Sequence, residues 1–460
     1  MQALFKWVLL ILMLPLSLSV RAQARTARPN IIVMMADDLD SRQLSCYGGT
    51  NLTTTNIDLL ASQGLQFNQM IASEAMCVPT RASLFTGLYP ARHGSFQNHK
   101  PVFDGLKSIN HYLKDLNYTV ALTGKNHSTR PASVFPFQFI KGFEPNCVAR
   151  SDEYFLDSVK QFITSQKDPY CLFVMSINPH APWNLGDPGE FEASKLKLPP
   201  HWVDTKEVRE QFRKYLAEVR RLDDQVGDIM KLLEQTGQDK NTIFIFLGEQ
   251  GAQFPGAKWT LWDQGQKSSM IIRWPGVVQP GSKTDALVQY EDLTPTFIDI
   301  AGGQPVASLD GKSFLNVIKG KTGKARDFAY GIHSNIPEGP PYPIRSVRTA
   351  DYKLILNLLP GKNYHIKYMM NPGKKDSYWN GWVAKAADNI TDQRLINRIV
   401  HRPEAEFYDL EKDPYELHNL VNEPRYKSLV EAYRLALKKW MQQQGDTGVE
   451  MDTNYKKTGI

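Results

Sequence analysis

An α/β fold on a large, mainly parallel sheet flanked by helices is predicted by three features of the chain. They are five short apolar runs rich in β-branched residues, helical stretches between them, and one long amphipathic helix. The runs are 31–36, 119–122, 171–177, 243–247 and 270–274. Between the third and fourth, Val208, Phe212, Leu216, Val219, Leu222, Val226, Ile229 and Leu233 recur at three- and four-residue spacings, so a helix is expected to lay one face on the sheet. After the Gly/Lys-rich stretch 320–324 the texture changes to short alternating segments, 345–347 and 352–356, and a last amphipathic helix near 429–441. A first domain at 25–325 and a smaller antiparallel domain at 326–460 are therefore predicted.

With 460 residues, 42% hydrophobic and 22% charged, the chain can bury a large core. Residues 1–24 carry Lys6, an apolar run at 7–18 interrupted by Pro15, and Ala22-Gln23-Ala24 at the end, the pattern of a secretory signal peptide. The run is short for a bilayer span, no cysteine follows it to take a lipid, and nothing later is apolar enough to cross a membrane. Export to the periplasm or the medium is expected, or to a lysosome in a eukaryotic source. Removing the leader takes away Lys6 and Arg21 and lowers the net charge from +6 to +4. That charge is too small and scattered to favour nucleic acid, but it suits an anionic small ligand.

Ligands of such sheets gather beyond the carboxyl ends of the strands. The residues just after four of the five runs are Asp37 and Asp38, then Lys125 and His127, then His180, then Glu249 and Gln250. Titratable and ligand-type side chains thus recur at one edge, the strongest sign of an active site read from residues alone. Two carboxylates on one turn supply hard oxygen ligands for a divalent cation, although such a pair after a strand is also an ordinary helix cap.

The segment Cys77-Val78-Pro79-Thr80-Arg81-Ala82-Ser83-Leu84-Phe85-Thr86-Gly87 decides between these. It resembles the signature of the formylglycine-dependent sulfatases, in which a Cys or Ser before x-Pro-Ser-Arg, with Thr-Gly further on, is oxidised to an aldehyde. Asn30-Ile31-Ile32 through Asp38, Gly124-Lys125-Asn126-His127, Asn178-Pro179-His180-Ala181-Pro182 and Phe407-Tyr408-Asp409-Leu410 resemble further family segments, over nearly the whole mature chain. Val134-Phe135-Pro136-Phe137, Phe254-Pro255 and 342–347 are most similar to the heparan N-sulfatase (sulfamidase) branch.

The resemblance implies an alkaline phosphatase-like fold, a sulfuric ester hydrolase, and Cys77 converted to 3-oxoalanine (formylglycine) by a maturating enzyme. It implies calcium held by Asp37, Asp38, Glu249, Gln250 and an oxygen of residue 77. A sulfate monoester needs a positioned nucleophile, cations on its oxygens and a proton for the leaving group. Arg81, Lys125 and Lys258 are the expected cations, His127 the partner of the diol proton, and His180 the acid. His333 and Arg345 are candidates for substrate recognition. The expected substrate is a sulfated poly- or oligosaccharide, with N-sulfoglucosamine as the alternative. Trp183, Trp259, Trp262, Trp379 and Trp382 offer aromatic faces for a sugar, about three of the five being expected to serve as packing instead.

Two positions depart from the pattern. Gly248-Glu249-Gln250-Gly251 stands where the family has Ser-Asp-Asn/His-Gly, which pushes the oxygen ligands one methylene outward, and Thr80 replaces the usual Ser. These changes leave open a degenerate protein that binds sulfated glycans without turnover, and phosphomonoester or phosphonate hydrolysis on the same scaffold. If Cys77 is consumed, Cys46, Cys147 and Cys171 remain, so one disulfide is expected, taken as Cys147 to Cys171.

Overall fold

The computed structural model describes residues 28–373 and 377–453. The expected leader at 1–24 lies outside them. The large sheet comprises β1 (Asn30–Met35), β2 (Leu65–Ile71), β3 (Thr119–Gly124), β4 (Gln138–Phe139), β5 (Tyr170–Met175), β6 (Thr242–Leu247), β7 (Lys267–Arg273), β8 (Ser282–Thr284) and β9 (Val288–Gln289). Its order is β4-β3-β5-β1-β6-β7-β2-β8, with β9 also on β2. Only β7 runs against its neighbours β6 and β2; the other pairings are parallel.

The central strands are apolar throughout because both faces are covered, and their alternation sorts them into two cores. Ile32, Met34, Leu172, Val174, Phe244 and Phe246 join one cluster, while Ile31, Val33, Phe173, Met175, Ile245 and Leu247 join the other. On the first face lies the helix Lys206–Gln235, whose stripe from Val208 to Leu233 is buried. Its N-terminus is capped by Thr205, which accepts from the Val208 N–H at 3.3 Å. On the second face lies the helix Cys77–Thr86, closed by Gly87 at φ +69, a left-handed cap that glycine adopts without strain.

A four-stranded antiparallel sheet follows in chain order: β10 (Ala329–His333), β11 (Ile344–Arg348), β12 (Tyr352–Asn357) and β13 (Ala405–Asp409). The helix Lys427–Gln444 covers it with Val430, Tyr433, Leu437 and Trp440. Among the described residues no helix is long and apolar enough to cross a membrane.

His93 ties the Cys77 helix to the following loop. Its Nδ1 accepts from the Ser95 N–H at 3.1 Å, so Nε2 carries the proton toward Ser83 Oγ at 3.2 Å. Burial pushes the imidazole pKa down to about 3. Since an unfolded histidine titrates near ~6.5, the unfolded chain binds the extra proton first, and stability is lost as pH falls below that value. In urea unfolding, wild type should lose about 1.4 kcal/mol per pH unit more than His93→Gln between neutral pH and mild acid. Equal slopes would contradict the buried neutral ring.

Candidate active site

The carboxyl edge of the sheet is stitched together by backbone bonds between its outgoing loops. The Asp37 N–H donates to Asn178 O at 2.9 Å, the Lys125 N–H to Met175 O at 2.8 Å, and the Ala36 N–H to Leu247 O at 2.9 Å. The ends of β1, β3, β5 and β6 are thereby held at one level. Asp38 sits at φ +59, a conformation that a short Asp tolerates better than most side chains. Facing these loops, Cys77 opens its helix and is almost fully buried.

Opposite charges here are matched one to one, as buried charges must be. Lys125 Nζ pairs with Asp37 Oδ2, Lys258 Nζ with Asp38 Oδ2 at 2.6 Å, and Arg81 Nε with Glu249 Oε1 at 2.5 Å. Arg81 also donates to Ala36 O at 3.2 Å, and its guanidinium lies 3.8 Å from Asp37. His180 Nε2 lies 3.6 Å from Asp38 Oδ2. Burial pushes the Cys77 thiol up to about 12 despite Lys125 and Lys258, so the unmodified side chain is a poor thiolate. Burial also holds His127 and His180 down at about 3. Lys125 and Arg81 add to the effect at His127, whereas Asp38 opposes it at His180.

The donor set fits a divalent cation. Asp37, Asp38, Cys77 and His180 can each place a ligand atom within 4.8 Å of the others. Asp37 Oδ1 and Gln250 Oε1 are buried oxygens without a hydrogen-bond partner, which a hard cation would satisfy. Glu249 is not in this group. Its Oε1 is taken by Arg81, and its Oε2 accepts from Gln250 Nε2 at 3.0 Å and from the Asp38 N–H at 3.3 Å.

A cavity of about 490 Å³ opens onto Cys77, His127, His180 and Lys258. Its walls also include Asn98, His99, Cys147, Trp259, Glu338 and Tyr368, most of which the sequence did not point to. Asn98 bridges two parts of the wall, donating to Glu338 Oε1 at 2.7 Å and accepting from the Val78 N–H at 3.4 Å, next to Cys77. Neither Asn98 nor His99 follows an apolar run, so the edge-of-strand signal could not find them.

Three expectations need correction. His333 and Arg345 are fully buried and line no part of this cavity. His333 Nδ1 lies 2.6 Å from Glu74 Oε1, and Arg345 is clamped by Asp446 at 2.5 and 2.8 Å and by Asp452 at 3.1 and 3.2 Å. Its charge is thus spent inside the protein. All four cysteines are free. Cys171 lies inside β5, four residues before its carboxyl end, or roughly 13 Å at ~3.3 Å per residue. Cys147 lies beyond that edge with Sγ 3.7 and 3.9 Å from the His127 ring nitrogens. Of the five tryptophans, all are buried and only Trp259 reaches the cavity.

Comparison with known proteins gives two family matches: "Sulfatase" over residues 29–303, and "N-sulphoglucosamine sulphohydrolase, C-terminal" over residues 254–371. The chain is 33% identical to an ulvan-active sulfatase of Formosa agariphila, over 93% of this chain and 82% of that protein. It is 26% identical to human N-sulphoglucosamine sulphohydrolase, over 92% of each. A structure solved with its substrate D-glucosamine-2-N,6-O-disulfate superposes with a TM-score of 0.73 at 20% identity, covering 93% of this chain and 99% of that one.

Proposed function

The chain belongs to the sulfatase family and is a sulfuric ester hydrolase, and from that premise we propose that it removes O-sulfate from a sulfated poly- or oligosaccharide. The observation that carries the reading is Cys77 opening a buried helix at the floor of a cavity shared with His127, His180 and Lys258. In this proposal Cys77 becomes formylglycine, whose hydrate supplies one hydroxyl to attack sulfur as the S–O bond to the sugar breaks, and a second that loses its proton as the C–O bond to the transferred sulfate breaks, so that sulfate leaves and the aldehyde is restored. Asp37, Asp38 and Gln250, with an oxygen of residue 77, would hold calcium, and Glu249 supports them from behind; the ion supplies positive charge for the sulfate oxygens.

The chain's own groups divide the remaining tasks. Lys258 meets a sulfate oxygen from the cavity wall, while Arg81 and Lys125 balance the carboxylates beneath. His127, kept neutral by burial, accepts the diol proton. His180 faces the leaving oxygen; burial keeps its ring neutral before substrate binds, and the entering sulfate anion, together with Asp38 at 3.6 Å, raises its affinity for the proton it passes to that oxygen. Segment 1–24 directs export to the periplasm or medium, and residues from 326 onward complete the pocket, since Glu338 and Tyr368 line it.

The Tyr368 ring, 47% exposed, lies nearly parallel to Trp259 with centroids 6.2 Å apart. Such a platform suits the face of a pyranose. Tyr368→Ala should raise KM about tenfold with little change in kcat, and Tyr368→Phe should stay near wild type, as steady-state kinetics on a sulfated saccharide will read.

The higher identity to the ulvan-active relative supports ester over N-sulfate cleavage, whereas the C-terminal family match supports the sulfamidase alternative. Protein matured with a formylglycine-generating enzyme should desulfate 2-, 3- or 6-O-sulfated saccharides in a defined panel. Activity confined to N-sulfoglucosamine would replace this reading with the sulfamidase one. No turnover by calcium-loaded, formylglycine-bearing protein would leave a glycan-binding protein.

A further inference from the structure

A second cavity, of about 580 Å³, shares no lining residue with the first. It lies where β7, β2 and β8 adjoin: Lys267 opens β7, Gln66 and Asn68 lie on β2, and Lys283 lies on β8 opposite Gln66. The loop leaving β1 reaches toward both cavities, with Asp38 paired to Lys258 in the wall of the first and Ser41 and Arg42 lining the second. Three cations line it and no carboxylate does.

None of these cations makes an ion pair among the described residues. Arg42 is held by neutral acceptors only, Gln264 Oε1 and Pro414 O, with Tyr415 under its guanidinium at 5.3 Å. The acids that touch the wall are already engaged: Asp58 accepts from Ser45, Thr54 and the Cys46 N–H, and Asp285 accepts from Asn68. Burial, with Arg348 and Arg42 adding to it, pushes the Lys267 ammonium down to about 8 against the pull of Asp263. Three cations drawn together in a partly desolvated concavity, with the nearby carboxylates turned to other donors and none paired to them, favour the entry of an anion.

We propose that this cavity is a secondary subsite that binds a sulfate ester group of a sulfated polysaccharide, away from the bond being cleaved. The proposal rests on the reading of the substrate as a sulfated carbohydrate and deepens it: the enzyme would grip a polymer at two places and a monosaccharide at one. Gln66 and Asn68 offer polar contacts to the sugar beside the cations.

The test uses the full chain with Cys77→Ala, so that binding is read without turnover. Size-fractionated dextran sulfate is titrated calorimetrically at fixed salt, with neutral dextran and inorganic sulfate as controls. Lys267→Gln/Lys283→Gln should weaken dextran sulfate binding roughly tenfold or more. The exposed pair Lys438→Gln/Lys439→Gln removes the same charge elsewhere and should leave binding nearly unchanged. In the active enzyme, the first double variant should lower kcat/KM on a sulfated polymer and spare it on a sulfated monosaccharide. Equal weakening by both pairs, no weakening by the first, or displacement of dextran sulfate by inorganic sulfate at equal concentration would each overturn the proposal. Failure of wild type to desulfate any saccharide would sink the functional reading instead, while leaving the binding result to stand.

Discussion

Replacing Cys77 with alanine is expected to lower kcat/KM on any sulfated substrate by at least ~10⁴-fold, the scale on which covalent nucleophiles matter. The fold should survive. Cys77 contributes one small side chain at the start of a helix whose packing is carried by Ala82, Leu84 and Phe85 in the core, so its loss removes little apolar contact. Peptide mass analysis of wild type from a host with a maturating enzyme should show the aldehyde at position 77. A host lacking that enzyme should give the thiol and an inactive protein, because the buried thiol has little thiolate to offer. Full turnover by Cys77→Ala, or by protein bearing an unmodified thiol, would refute the formylglycine chemistry and move the nucleophile elsewhere in the cavity.

The sheet was legible where burial on both faces writes a continuous apolar run, as in β1, β5 and β6. It was not legible in β2, whose Gln66, Asn68 and Gln69 break the run because this strand lies near the sheet edge, where a polar cavity wall forms. The long helix was read to within two residues at each end, since its apolar stripe is a local signal. The edge residues Asp37, Asp38, Lys125, His180 and Glu249 converge because each lies within five residues of the carboxyl end of its strand, and the order of parallel strands does not alter which edge that is. Residues that reach the cavity from irregular segments, such as Asn98, His99, Cys147 and Tyr368, carry no periodic mark. Arg345 misled for a related reason. A strand position shows which residues alternate, but not whether the partner across the interface is substrate or, as here, a pair of carboxylates from the C-terminal segment.

Glu249→Gln is expected to be nearly as damaging as loss of the nucleophile, and the cause lies in which atoms accept. One Glu249 oxygen receives Arg81, and the other receives the Gln250 amide and the Asp38 N–H, so both sides of the side chain face donors. An amide can accept on one side only and must turn its NH₂ toward donors on the other. Each buried group left unsatisfied costs about 1–3 kcal/mol, and the three carboxylates Asp37, Asp38 and Glu249 would no longer balance Arg81, Lys125 and Lys258. The variant should therefore unfold at lower urea and lose on the order of 10³-fold in kcat/KM. Calcium should raise the wild-type thermal midpoint, and a chelator should reverse the rise and abolish turnover, since an ion bound only by the folded chain stabilises it by mass action. That calcium-dependent shift should shrink in Glu249→Gln. A midpoint and a turnover rate both indifferent to chelation would remove the divalent ion from the proposal. An unaltered calcium shift in Glu249→Gln would instead confine Glu249 to orienting Arg81 rather than supporting the metal ligands.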